Sequence, residues 1–200
     1  MTATLERGFK ARAERTSAGL RGELGLSAFE RLDPTKLAAY LEVALLTPSD
    51  VPGMTDEMLH QLLTIDPWGW SAVTIVQGNT AFVIFNPRHS AGRQASDITH
   101  ELAHIILGHQ PATMIMSPDG SLVMRSYDQK QEDEANWLAW AILLPREALL
   151  AMKRRRATIA DIAAEYGVTE TLVQYRLRIT GIESQLRATT AWKTRKAIPS

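Results

Sequence analysis

Apolar and polar positions alternate along the chain in patterns that predict a succession of short elements. Residues 5–24 read as a helix ended near Gly25, and Asp33-Pro34 opens a second over about 34–42. The segment 43–54, with Pro48, Pro52 and Gly53, reads as a short apolar stretch followed by a loop. Thr55 with Met58, Leu59, Leu62 and Leu63 predicts a further helix, broken by the aromatic turn Pro67-Trp68-Gly69-Trp70. A hairpin follows: Ala72–Val76 and Ala81–Phe85 are β-branched or aromatic runs on either side of the turn residues Gln77-Gly78-Asn79. A helix then spans about Gly92 to Gly108, ended by its glycine. Pro118-Asp119-Gly120 predicts a turn into a short strand, Ser121–Arg125, and a strong helix covers roughly Gln131–Leu144 before Pro145. Small helices fill 146–182, with no internal repeat and no low-complexity linker. The expected class is α+β, a small antiparallel sheet with helices gathered around it.

Composition narrows the function classes. A chain of 200 residues, 45% hydrophobic and 22% charged, has enough apolar material for one good-sized domain or one domain plus a small appendage. The absence of cysteine excludes a thiolate zinc finger, an iron–sulfur cluster and a cysteine nucleophile. Charges interrupt the N-terminal MTATLERGFKARAER, and no charge-free apolar run of about eighteen residues occurs, so the expected setting is the cytoplasm, away from membranes. The net charge of zero conceals an asymmetry. Residues 151–200 hold ten Lys/Arg against four Asp/Glu, a balance of +6 that leaves −6 for residues 1–150. A basic C-terminal quarter suits an anionic partner or a solvated surface.

The pentapeptide His100-Glu101-Leu102-Ala103-His104 carries the most chemistry. At about 100° per residue, positions i and i+4 lie about 40° apart on a helix, so both imidazoles can address one ion. Glu101 falls on the neighbouring flank, within reach of a water's proton. Two neutral imidazoles and a third protein ligand suit Zn2+ with an open fourth position, although these ligand types do not separate zinc from Mn2+ or Fe2+. The competing reading is two histidines on a partly exposed helix. Ile98, Leu102, Ile105, Ile106 and Leu107 make that helix apolar, and buried imidazoles require partners.

The third ligand has to come from another element, and Glu132-Asp133-Glu134 at the start of the next strong helix supplies acids. Glu134 shares a core-facing stripe with Leu138 and Ala141 and is the first choice. Glu132, on a face with Asn136 and Trp140, is the fallback. Acids in a first helical turn also complement the macrodipole without binding anything.

HELAHIILGH at 100–109, the strand ending Val83-Ile84-Phe85-Asn86-Pro87, and Glu134-Ala135-Asn136 leading to Leu143-Leu144-Pro145 together resemble the ImmA/IrrE-type metallopeptidases. Arg93 before the motif helix and GVTETLVQYRLRITG at 167–181 extend the resemblance over about residues 70–182. It implies a zincin-like metallopeptidase domain over 1–150 and a helical, helix-turn-helix-like basic segment over 151–200. It further implies metal ligation by His100, His104 and Glu134, with Glu101 as general base. The activity implied is cleavage of a helix-turn-helix repressor, relieving repression of stress-response or mobile-element genes. In zinc peptidases of this shape a sheet edge pairs with the extended substrate, and residues 80–86 are the expected edge.

Other positions take lesser roles. His109, about 140° from His104 around the helix, reads as a residue complementing the helix C-terminus, and His60 and His89 as surface or loop residues. Tyr127, between the two metal-binding elements, is a candidate donor to a tetrahedral oxyanion. Ala163, Gly167 and Val173, spaced +4 and +6, fit a helix-turn-helix. Its outward positions, Thr169, Thr171, Gln174 and Arg178, are the candidate nucleic-acid or partner contacts, with Arg154–Arg156 placed for phosphates. The alternative function is a DNA-associated regulator or toxin–antitoxin component without peptidase activity.

Overall fold

A computed structural model describes residues 5–78, 80–109, 114–116, 122–124 and 128–188. The chain opens with helix α1 (Phe9–Glu23) and α2 (Pro34–Tyr40), the latter started by Asp33, whose side chain accepts from Thr35 N. A short strand β1 (Ala44–Leu46) follows, then α3 (Asp56–His60), which runs on as a wider π-helical turn over Gln61–Ile65. Strands β2 (Ala72–Gln77) and β3 (Thr80–Phe85) form the expected hairpin, with Gly78 at φ 61° in its turn.

Helix α4 (Ala91–Leu107) leads to a second hairpin, β4 (Met114–Met116) and β5 (Leu122–Met124). Helices α5 (Gln129–Leu143), α6 (Arg146–Arg154), α7 (Ile159–Tyr166) and α8 (Glu170–Thr180) follow. The class is α+β, as the sequence pattern predicts.

The sheet differs from expectation in one respect. Its order is β1-β3-β2, with β2 antiparallel and β1 parallel to β3. Strand β3 is therefore central, its two sides taken by β1 and β2. Residues 80–86 are thus not the expected edge; β1 and β2 are the outer strands of this sheet. Strand alternation sends Val83 into the core, fully buried against α4. Its β2 partner in register, Thr74, points the same way.

Helix α5 is apolar on most of its circumference, burying Ala135, Trp137, Leu138, Ala139, Ala141, Ile142 and Leu143, so it forms the centre of the molecule. The last carbonyls of a helix have no partner within it. Here Ser17 Oγ donates to Ala141 O at 2.7 Å, Arg21 to Ile142 O at 2.6 Å, and Arg176 to Leu144 O at 3.1 Å. The buried Arg176 guanidinium is also paired with Glu14 at 2.6 Å. Helices α1 and α8 thus fix the end of α5 from opposite ends of the chain.

A second apolar cluster joins Ala95 of α4 and Leu143-Leu144 to Leu149, Ile162, Tyr166, Val173 and Ile182. Residues 150 and 151 both lie inside α6. Helix α4 approaches the α7–α8 turn so closely that a Cβ at Gly92 would lie 2.9 Å from the Val168 carbonyl carbon and 3.1 Å from Thr169 N. Both neighbours are backbone and cannot rotate aside. Gly92→Ala is expected to lower stability: overpacking costs about 1–3 kcal/mol, against at most about 1 kcal/mol gained in helix propensity. A denaturant midpoint equal to or above wild type would show that this contact is not there.

Candidate metal centre

Helix α4 begins after Ser90 and ends where Gly108 adopts a left-handed conformation at φ 65°. Leu102 and Ala103 are fully buried, which fixes the rotation of the helix and leaves His100, Glu101 and His104 at the border between core and solvent. The two imidazoles meet as their i,i+4 spacing predicts, with Nε2 atoms 3.1 Å apart. Glu101 Oε2 accepts a hydrogen bond from Thr74 Oγ1 at 2.5 Å, so strand β2 orients the motif carboxylate.

The carboxylate facing the pair is Glu132. Its Oε2 lies 3.2 Å from His100 Nε2 and its Oε1 3.4 Å from His104 Nε2. Glu134, the first choice from the sequence, turns instead to His109, with Oε2 3.3 Å from the Nε2 of that ring. The reason is which stripe of α5 opens to solvent. Glu134 lies on the buried stripe, as predicted, but that stripe passes behind the imidazole pair. Glu132, Asn136 and Trp140 lie on the next stripe and line a cleft of about 450 Å³ together with His100 and Glu101. Ser71 and Ala72, at the head of β2, line the same cleft.

Electrostatics follow from this packing. Hydrogen bonds from His100 and His104 hold the Glu132 carboxyl far below the usual carboxylate range. Burial pushes His100 down, but Glu132 and Glu101 beside it outweigh burial and raise it above the ordinary imidazole value. His109 is depressed by burial and by the neighbouring His104.

The donor set fits a divalent ion. Around a tetrahedral zinc with N and O ligands at about 2.0–2.1 Å, corners lie about 3.3–3.4 Å apart. The two imidazole nitrogens, 3.1 Å apart, are close to that edge, and Glu132 sets one oxygen 3.2 Å from His100 Nε2 and the other 3.4 Å from His104 Nε2. Among the described residues, His100, His104 and Glu132 are the group of potential ligands that converges in this way.

The remaining predicted positions divide. Tyr127 lies outside the described residues. Thr171, Gln174 and Arg178 are exposed on one side of α8, and Arg154–Arg156 are exposed too. Thr169 is the N-cap of α8, its hydroxyl accepting from Leu172 N. His89, expected to be a surface or loop residue, lies in the loop before α4 but is buried: it bonds Asp97 at 2.9 Å and stacks on Trp68. The proline and glycine around it suggest a loop, and nothing local indicates that the loop folds under α4.

Residues 60–178 match the model of a peptidase family described as the IrrE N-terminal-like domain. The chain belongs to that family. The IrrE-like domain thus takes in the sheet hairpin, both helices that carry the candidate metal ligands and most of α8. It is a metallopeptidase-type domain, a class that implies a divalent metal. No curated protein matches the chain. Among solved structures, a Mycobacterium tuberculosis transcriptional regulator shares its fold with a TM-score of 0.52 at 18% identity. The alignment covers 88% of this chain and 47% of that one, so the chain spans about half the length of the regulator. Among the described residues, no helix is long and apolar enough to cross a membrane.

Proposed function

We propose that the protein is a cytoplasmic zinc-dependent endopeptidase whose substrate is a helix-turn-helix transcriptional repressor. The observation that carries the reading is the convergence of His100, His104 and Glu132 beside a Glu101 held by Thr74. Family membership supports the peptidase chemistry. The regulator-like fold neighbour and the family resemblance support the choice of repressor.

His100, His104 and Glu132 would hold the ion, which supplies a Lewis acid that polarises the scissile carbonyl and acidifies water. Glu101 Oε2 takes a proton from the attacking water as its oxygen bonds to the carbonyl carbon. The same oxygen returns that proton to the amide nitrogen as the C–N bond breaks, leaving a carboxylic acid and an amine, and the acid then gives its proton to the amine. The Thr74 hydroxyl keeps Oε2 aimed during both transfers. Strand β2 is terminal in its sheet, and its first residues enter the cleft. An extended substrate segment paired with β2 brings its backbone past Glu101.

The test is to purify the protein with its metal, measure zinc by elemental analysis, and incubate it with purified helix-turn-helix repressors from the same genome, starting with any encoded near its gene. Near-stoichiometric zinc and two repressor fragments are expected, with cleavage abolished by a chelator and restored by zinc. Failure of zinc-loaded protein to cleave any of these repressors would refute the substrate assignment. A purified protein that takes up no divalent metal would refute the peptidase reading altogether.

A further inference from the structure

We propose that His109 and Glu134 are positioning residues that hold His104 in the one tautomer able to bind metal. The inference rests on the metal-site reading above and adds two residues that never touch the ion. His109 Nδ1 lies 3.0 Å from His104 Nδ1, and His109 Nε2 lies 3.3 Å from Glu134 Oε2. The two rings meet edge to face, with centroids 5.0 Å apart and an interplanar angle of 71°. The His109 side chain is nearly buried, at 7% exposure, and that of Glu134 is 12% exposed. The other oxygen of Glu134 faces Lys130 Nζ at 4.0 Å, so the carboxylate sits against a cation.

The proton positions follow in order. An ionised carboxylate only accepts, so His109 Nε2 carries the hydrogen. In a neutral ring Nδ1 is then a lone pair, and it accepts from His104 Nδ1–H. With its hydrogen on Nδ1, His104 offers Nε2 to an ion in exchange for the hydrogen that this atom gives Glu132 in the metal-free site. Reversing any one hydrogen places a proton on His104 Nε2 and removes that ligand. Ligating histidines usually give their second N–H directly to a carboxylate or carbonyl. Here a second imidazole stands between ligand and carboxylate. The chain allows this because Gly108 turns the backbone left-handed and His109 N bonds back to His104 O at 3.0 Å.

The test uses His109→Leu, His109→Asn and Glu134→Gln, with zinc affinity measured by chelator competition and melting curves confirming the fold. Asparagine keeps an acceptor near the place of Nδ1 and leucine does not. Removal of an outer partner of this kind weakens metal binding by about 10–100-fold, expected for His109→Leu and, at the lower end, for Glu134→Gln. His109→Asn should stay within a few-fold of wild type. Imidazole nitrogen NMR of the wild-type protein should place hydrogens on His109 Nε2 and His104 Nδ1. Equal affinities for the leucine variant and wild type, or a hydrogen on His109 Nδ1 alone, would overturn the relay while leaving the metal site intact. Absence of zinc binding by wild type would instead overturn the metal-site reading, and the relay with it.

Discussion

Glu101→Gln is expected to bind zinc like wild type and to cleave its substrate about 10²–10⁴-fold more slowly, the usual contribution of a positioned general acid–base. Glu101 lies beside the imidazole pair, and the group of ligand atoms that converges consists of His100, His104 and Glu132. The amide retains the size and the contact with Thr74 Oγ1, so the geometry of α4 should persist. What disappears is the capacity of Oε2 to accept a proton from water and hand it to the departing nitrogen. Rate and metal content must therefore separate: zinc stoichiometry unchanged, turnover lost. A variant that cleaves at the wild-type rate would remove Glu101 from the reaction. A variant that loses zinc as well would show that the motif carboxylate supports the ion itself.

The parts of this centre that sequence disclosed are the ones set by local geometry. His100 and His104 are one helical turn apart, and the apolar residues between them already determine how α4 rotates. The hairpin register was equally accessible, since β-branched runs flank a turn that requires a left-handed glycine. What escaped depends on contacts between distant segments. Strand β1 is three residues long and pairs in parallel across almost forty positions, Ala44 with Phe82, so its pattern is too short to declare itself. Without it β3 looks like an edge. The choice between Glu132 and Glu134 turned on which stripe of α5 opens to the cleft, a property of tertiary packing. A separation of about 140° between His109 and His104 holds only along a continuing helix, and the sequence already ends this one at Gly108. What it does not show is that this left-handed residue swings the ring back onto His104.

Glu132→Ala is expected to abolish the stabilisation that zinc gives the fold, whereas changes at Glu134 only reduce it. A ligand that binds the native state alone stabilises it by about 4.1 kcal/mol at a thousand times its Kd. Each tenfold loss of affinity removes about 1.4 kcal/mol of that. At the same zinc concentration, a Glu134 variant weakened about 10–100-fold keeps between about 1.4 and 2.7 kcal/mol. For a chain of this size each kcal/mol corresponds to about 2–4 °C in Tm, so that remainder is easily measured. Glu132 touches both imidazoles, at 3.2 and 3.4 Å, and its removal leaves two neutral nitrogens as the ligands among these three groups. Melting curves of wild type, Glu132→Ala and Glu134→Ala with and without zinc therefore rank the two carboxylates directly. A zinc-induced shift that survives in Glu132→Ala and vanishes in Glu134→Ala would reverse the assignment and return Glu134 to the ion. The opposite order fixes Glu132 as the third ligand. It would also place the solvent-facing stripe of α5, with Asn136 and Trp140, along the path a substrate takes to Glu101.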